Sequence, residues 1–235
     1  MQVVVMGMPR SGTSLVASLL HAMGVNMGDR MFAADEFNPM GYYEDRDFVD
    51  LNGSVLRRGG YRWSRPPTEE HRLELIQMYR TAAEELVAHK DKGLWGFKDP
   101  RTVLLWDMYH PFLTEPHYVV VERKGAAVMS SLESRAKKCA DEMRVSICDG
   151  EPAPIDWRDW LSEGAWERGK WGLLCKEYAA ALERQDEECD APRIDLRFEA
   201  LTNKHTAAKH VKRLADFIGY TGEIMPACGR ISFRN

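Results

Sequence analysis

The chain has 235 residues, a net charge of −4, and 44% hydrophobic and 29% charged residues. That suffices for one domain with a sizeable core and excludes a global basic field for nucleic acid or anionic membrane. No apolar run approaches the roughly 20 residues that span a bilayer, no secretory signal pattern opens the chain, and five scattered cysteines without a CxxC pair or zinc spacing read as reduced thiols of a cytoplasmic protein.

Residues 2–6 form the first predicted strand, followed at once by Gly7-Met8-Pro9-Arg10-Ser11-Gly12-Thr13-Ser14 and a predicted helix over 13–23. Further helices are expected at 45–56, 69–89, 102–112, 126–138, 163–187 and 206–218, and further strands at 94–97, 118–121 and 194–196. Short, near-continuous apolar runs alternating with helices predict an α/β fold with a central parallel sheet covered on both faces, a three-layer α/β/α arrangement. The whole chain, 1–235, reads as one domain, without repeats or low-complexity segments. Two irregular stretches, 57–68 and 149–160, interrupt the pattern and are expected to be surface connections of the kind that carries binding.

Strand, glycine-bounded loop and helix is the layout of a phosphate-binding loop in a P-loop nucleoside triphosphate hydrolase-like fold. The loop's N–H groups and the positive end of the helix dipole would meet an anion at the strand ends. Ser11, Thr13 and Ser14 add hydroxyls. The spacing is that of G-x-x-x-x-G-[KT]-[ST], but Thr13 stands where a nucleoside triphosphatase carries lysine, and the loop's cation is Arg10. No strand ends in a metal-binding Asp pair, so a donor that needs no metal fits better. A sulfuryl group carries less charge than a terminal phosphoryl group, and hydroxyls, amides and one cation suffice to stabilise its transfer. The plainer alternative is a strand-to-helix turn capped by Ser or Thr.

A second candidate site follows the third strand. Arg123 stands at its end and Ser131 eight residues later on the next predicted helix, where a guanidinium fork and a hydroxyl could share one phosphate. The alternative is a surface arginine and an unrelated helix serine.

Together these patterns resemble the sulfotransferase family that uses 3′-phosphoadenosine 5′-phosphosulfate. The resemblance extends to Asn38-Pro39-Met40-Gly41-Tyr42-Tyr43-Glu44-Asp45, similar to the N-P-x-G-Y-x-E-[DN] segment of many bacterial and viral members. It extends also to Lys98-Asp99-Pro100-Arg101 at a strand end, and to Arg197-Phe198-Glu199-Ala200-Leu201 with Phe217-Ile218-Gly219 beyond. It covers most of residues 3–220. It implies that Pro9, Arg10, Ser11, Gly12, Thr13 and Ser14 hold the 5′-phosphosulfate, that Arg123 and Ser131 hold the 3′-phosphate, and that Lys98 stabilises the transferring group. Two departures stand out. Lys124-Gly125 replaces the Asn-Pro that often follows the strand-end arginine, and Cys228-Gly229-Arg230 stands near the end in place of an Arg-Lys-Gly segment.

Transfer to a hydroxyl needs a base. Glu44 is the leading candidate; its structural alternative is a helix N-terminal acid. Asp45, Glu36, Asp35 and Asp29 are the fallbacks, and none of the seven histidines stands beside a motif. Arg10 is expected to neutralise charge on the phosphosulfate as the bond breaks, and Asp99 to orient Lys98 or Arg101. On the acceptor side, residues 57–65 (Arg-Arg-Gly-Gly-Tyr-Arg-Trp-Ser-Arg) are suited to an anionic or sugar acceptor, and Trp63 alternatively to adenine. Trp157 and Trp160 mark the second irregular stretch; Trp166 and Trp171 read as core residues of a long helix.

The sequence therefore predicts a sulfotransferase moving a sulfuryl group from 3′-phosphoadenosine 5′-phosphosulfate to a hydroxyl, or secondarily an amine, leaving adenosine 3′,5′-bisphosphate, with no metal. The acceptor is a small molecule, saccharide, lipid or peptide, and nucleic acid is not a partner. The rival expectations are a nucleotide-kinase-like phosphotransferase and a non-catalytic nucleotide-binding module of the same fold.

Overall fold

Odd and even residues of the first strand are buried on opposite sides, and that alternation sets the architecture. The computed structural model describes residues 1–35, 38–148 and 168–231. Strand β1 (Gln2–Met6) sends Val3 and Val5 into one core and Val4 and Met6 into another. The other elements, in chain order, are α1 (Thr13–Ala22), α2 (Arg46–Arg58), α3 (Glu69–Lys90), β2 (Trp95–Lys98), α4 (Thr102–Tyr109), β3 (Pro116–Glu122), α5 (Gly125–Cys148), α6 (Arg168–Glu188), β4 (Arg193–Arg197), α7 (Phe198–Thr202), α8 (Ala207–Phe217) and α9 (Met225–Cys228). The strands form one parallel sheet in the order β2-β1-β3-β4.

Val3 and Val5 pack with Val16 and Leu20 of α1 and with Val211 and Leu214 of α8. Val4 and Met6 face a core drawn from α2, α3, α4, α5 and α6, where the Phe48 and Phe97 rings stack at 3.9 Å and Tyr109 closes on both. Helices thus cover both faces, and the fold is the α/β class with a central parallel sheet that the sequence pattern predicts. No described helix is long and apolar enough to cross a membrane.

The register brings the functional ends together. Lys98 closes β2 opposite Val5, and Glu122 closes β3 opposite Arg197. The loop after β1 therefore opens between the ends of β2 and β3.

Several boundaries differ from the expectation. Strand β2 starts at Trp95 and takes in Lys98, whose charge hides a buried strand end. Helix α5 continues to Cys148, ten residues past the predicted end. Helix α4 breaks its regular geometry at Leu105 and passes at His110 into a single 3-10 turn with Pro111 at its start. Helix α2 runs into the first irregular stretch as far as Arg58. The second stretch, 149–160, with Trp157 and Trp160, lies outside the described residues, as do Trp166 and Glu36.

Two tryptophans read differently. Trp171 is core, as predicted. Trp63, assigned by the sequence to acceptor or adenine, is 8% exposed, stacks on Trp171 at 6.0 Å, and its carbonyl accepts a hydrogen bond from Tyr178. It anchors the irregular stretch to α6, because a large apolar ring gains more from burial than from display.

Candidate active site

The loop between β1 and α1 is set by close backbone approaches. A Cβ on Gly7 would lie 2.6 Å from the Val121 carbonyl oxygen, and Gly12, at φ 105°, has the Phe198 ring 2.2 Å from where its Cβ would be. Only glycine serves at both. Arg10 also adopts a left-handed backbone, φ 70°, a conformation that costs a non-glycine residue about 1 kcal/mol or more. It turns the chain between the two glycines, and the Ser11 N–H closes that turn on the Met8 carbonyl at 3.0 Å.

What the loop offers is a set of donors. Gly12 is the cap residue of α1, and no side chain accepts from the helix's first turn. The capped-turn alternative therefore fails; the Leu15 and Val16 N–H groups bond back to the Gly12 carbonyl, and those of Thr13 and Ser14, without a hydrogen-bond partner among the described residues, can meet an anion. The Ser11 hydroxyl is buried without a hydrogen-bond partner among the described residues. Pro9 and Thr13 are buried within the loop, Thr13 with its methyl group beside Gly7. Ser14 faces the crevice, where Lys98 donates to its hydroxyl at 3.2 Å and Asn38 at 3.3 Å.

The three residues proposed for catalysis divide into two places. Lys98 and Glu44, 54 residues apart in sequence, form an ion pair beside Ser14. Lys98 is 1% exposed. Burial pushes the Glu44 carboxyl above its ordinary value; Lys98 and Arg101 pull it down, and Asp99 pushes it up. The Arg10 side chain instead turns toward α5, donating from Nε to the Ser131 hydroxyl at 3.0 Å. Arg123 donates to the Arg10 carbonyl at 2.9 Å and lies 4.7 Å over the Phe198 ring. Arg10, Arg123 and Ser131, from three separate stretches, thus meet beside the loop.

A third guanidinium belongs to this group. Arg135 donates to the Tyr42 hydroxyl at 3.3 Å. Burial lowers the Arg10 pKa, and the charges of Arg135 and Arg123 lower it further. Cations held together at the end of a loop rich in N–H donors make an anion site. Sequence reading passed over Arg135, although its spacing of four from Ser131 on the predicted helix puts both on one face. Tyr42, which also donates to Asp35 at 2.7 and 2.9 Å, has its phenol pushed up to about 12, mainly by burial.

The described fallback acids Asp29, Asp35 and Asp45 have structural partners. Asp45 is fully buried, caps α2 by accepting from the Asp47 N–H, and accepts from the Asp29 N–H and from Lys90 at 2.7 Å. Asp29 pairs with Asn26 and Lys90, and Asp35 with Tyr42. Asp99 accepts from Arg101 and from Asn52, which in turn accepts from Tyr109. It therefore orients Arg101, one of its two predicted roles. Among the histidines, His21 packs on Tyr43 near the far end of α1, and His110 meets Tyr118. Arg230 donates to the Tyr43 hydroxyl at 2.7 Å. The closing Arg-Phe-Glu segment supports the site from behind: Phe198 lies under Arg123 and against Gly12, and Glu199 accepts from the Lys124 N–H at the start of α5.

No protein-family model and no curated protein matches this chain. Among solved structures it is similar to an unliganded sugar kinase from Janibacter sp. HTCC2649, 15% identical over 98% of each chain, with a TM-score of 0.46. A likeness that loose carries nothing about substrate, and the fold class rests on the parallel sheet and the loop after its first strand.

Proposed function

We propose that this chain is a sulfotransferase that takes its sulfuryl group from 3′-phosphoadenosine 5′-phosphosulfate and passes it to a hydroxyl. The observation that carries the reading is the meeting of Arg10, Arg123 and Ser131 beside a phosphate loop whose lysine position holds Thr13. A donor with phosphate at both ends of its ribose needs two anion places, and the loop together with these three side chains suits that need.

The residues suit such a donor. The first-turn N–H groups and the Ser11 and Ser14 hydroxyls would hold the 5′-phosphosulfate; Arg123, Ser131 and Arg10 would hold the 3′-phosphate. Transfer forms a bond from the acceptor oxygen to sulfur and breaks the bond from sulfur to the bridging oxygen. Glu44 takes the acceptor's proton, and a burial-raised carboxyl is a better base than an exposed one. Lys98, held between Glu44 and Ser14, stabilises charge on the bridging oxygen. Arg10 acts on this reading as a binding arm, because its guanidinium points at Ser131.

A nucleotide-kinase-like phosphotransferase is the second reading, and one observation favours it: Lys98 reaches Ser14 and so places a lysine at the loop after all. Calorimetry with adenosine 3′,5′-bisphosphate, ADP and ATP, with and without Mg²⁺, separates the two. The sulfotransferase reading expects the bisphosphate to bind tightest without metal. Tighter binding of ATP with Mg²⁺, or no binding of the bisphosphate, would overturn it. A non-catalytic module would bind the bisphosphate but transfer no sulfuryl group to any acceptor class, before or after Glu44→Ala.

A further inference from the structure

The cations already assigned to the donor lie beside the loop and α5. A second group meets at α2, and one of its members, Arg101, acts on the Glu44 carboxyl. Asp99 takes up the Nε and Nη2 edge of Arg101. Its Nη1 points instead at Gly53 in the middle of α2, 3.0 Å from where a Cβ would stand. Arg57, one turn further along α2, folds back to the same point, with its Nη1 at 2.7 Å. Its Nη2 reaches only Ser54, at 3.4 Å. Among the described residues, neither Nη1 has a hydrogen-bond partner and no carboxylate pairs with Arg57.

Two guanidiniums converging on one point repel each other, and a glycine inside a helix costs helix stability. Both features make sense together if a ligand anion sits between the two arginines, since a Cβ at position 53 would push both groups away. We propose that Arg57 and Arg101 form an anion subsite on the acceptor side, so that the acceptor carries an acidic group, carboxylate, sulfate or phosphate, besides the hydroxyl it offers to Glu44. The subsite rests on the sulfotransferase reading for its meaning. Arg101 links it to the base, because its charge acts directly on the Glu44 carboxyl.

The test uses inorganic sulfate as the probe and the full chain saturated with adenosine 3′,5′-bisphosphate, so that the places for the donor's two phosphates are filled. In a ¹⁵N-labelled sample, the arginine Nε–H signals of Arg57 and Arg101 are assigned with Arg57→Gln and Arg101→Gln. The expected result is a saturable shift of both signals at millimolar sulfate. In Arg57→Gln the remaining Arg101 shift weakens at least tenfold, while bisphosphate affinity stays within twofold. Gly53→Ala gives a second variant that favours the helix and keeps both charges, and it too should weaken sulfate binding. No saturable shift in the wild-type chain, or wild-type sulfate affinity retained in both Arg57→Gln and Gly53→Ala, would overturn the subsite. A tenfold loss of bisphosphate affinity in Arg57→Gln would move Arg57 to the donor and overturn it as well. Failure of the bisphosphate to bind the wild-type chain would strike the donor reading instead, and with it the acceptor assignment. The sulfate titration would still report directly on whether the two arginines bind an anion.

Discussion

The loop after β1 and the segment leading into α2 frame the same crevice but are built in different ways. Residues 7–14 carry most of what shapes them in their own sequence: two glycines that allow close approach to Val121 and Phe198, a left-handed Arg10 and a helix that starts without a side-chain cap. The segment from Asn38 to Asp47 owes its shape to distant partners. Asp45 is held by Lys90, Glu44 by Lys98, Asn38 by Ser14 and Tyr43 by Arg230. The difference teaches that the path of the phosphate-type loop is largely written in its own residues, whereas the meeting of Glu44 with Lys98, like that of Arg10 with Arg123 and Ser131, is tertiary. They should therefore fail differently when perturbed.

The largest expected effect is on the tertiary side. Lys90 and Asp45 are both buried, and Lys90 also reaches Asp47 at 2.8 Å. Lys90→Met leaves the buried carboxylate of Asp45, at the cap of α2, without its cation, while Asp47 keeps Arg30. Breaking a buried pair in this way costs about 3–5 kcal/mol, and urea unfolding should show it. A loss below about 1 kcal/mol would mean that the segment is not held from α3.

Next comes the local side. Gly12→Ala places a methyl group against the Phe198 ring and demands a positive φ. Strain and overpacking together should cost about 2–4 kcal/mol, again by urea unfolding, with bisphosphate affinity falling in parallel. An Ala variant of near-native stability would show that the loop is looser than its contacts imply.

The smallest effect is in pH. Glu44 is pushed up by burial, so its folded form binds its proton more readily than its unfolded form does. Its contribution to stability is therefore fully present below the ordinary carboxylate value and is lost as pH rises through the raised value. Asp29, Asp47, Asp91 and Glu69 are pushed down and act in the opposite sense. The comparison to make is wild type against Glu44→Gln, with unfolding free energy followed from pH 4 upward. Their difference should change by no more than about 1.4 kcal/mol per pH unit, the wild type losing ground as pH rises. Parallel curves would show that Glu44 titrates normally.

The same contrast explains what could be read from the sequence. The sheet was legible because Val3–Val5 and Val119–Val121 are buried on both faces and so appear as unbroken apolar runs. The phosphate loop was legible because its determinants are contiguous. Glu44 and Lys98 could each be singled out, but their pairing joins residues 54 positions apart and no local pattern encodes it. Asp45 looked like a spare base because its cation, Lys90, lies 45 residues away. Trp63 looked like a binding residue because its stacking partner, Trp171, sits on a helix more than a hundred residues later. Arg135 was within reach of sequence reading through its spacing from Ser131. The Arg57–Arg101 meeting was not, since it needs α2 and the end of β2 side by side.

The central claim is that Arg123 and its neighbours hold a 3′-phosphate. Its most direct test is the ratio of affinities for adenosine 3′,5′-bisphosphate and adenosine 5′-monophosphate, measured by calorimetry on the wild-type chain and on Arg123→Ala. The account predicts that the bisphosphate binds the wild type about a hundredfold tighter, the worth of about 3 kcal/mol for charged hydrogen bonds, and that Arg123→Ala removes most of that preference while leaving the monophosphate nearly unchanged. Equal affinity for the two nucleotides in the wild type, or a preference that survives Arg123→Ala, would contradict it.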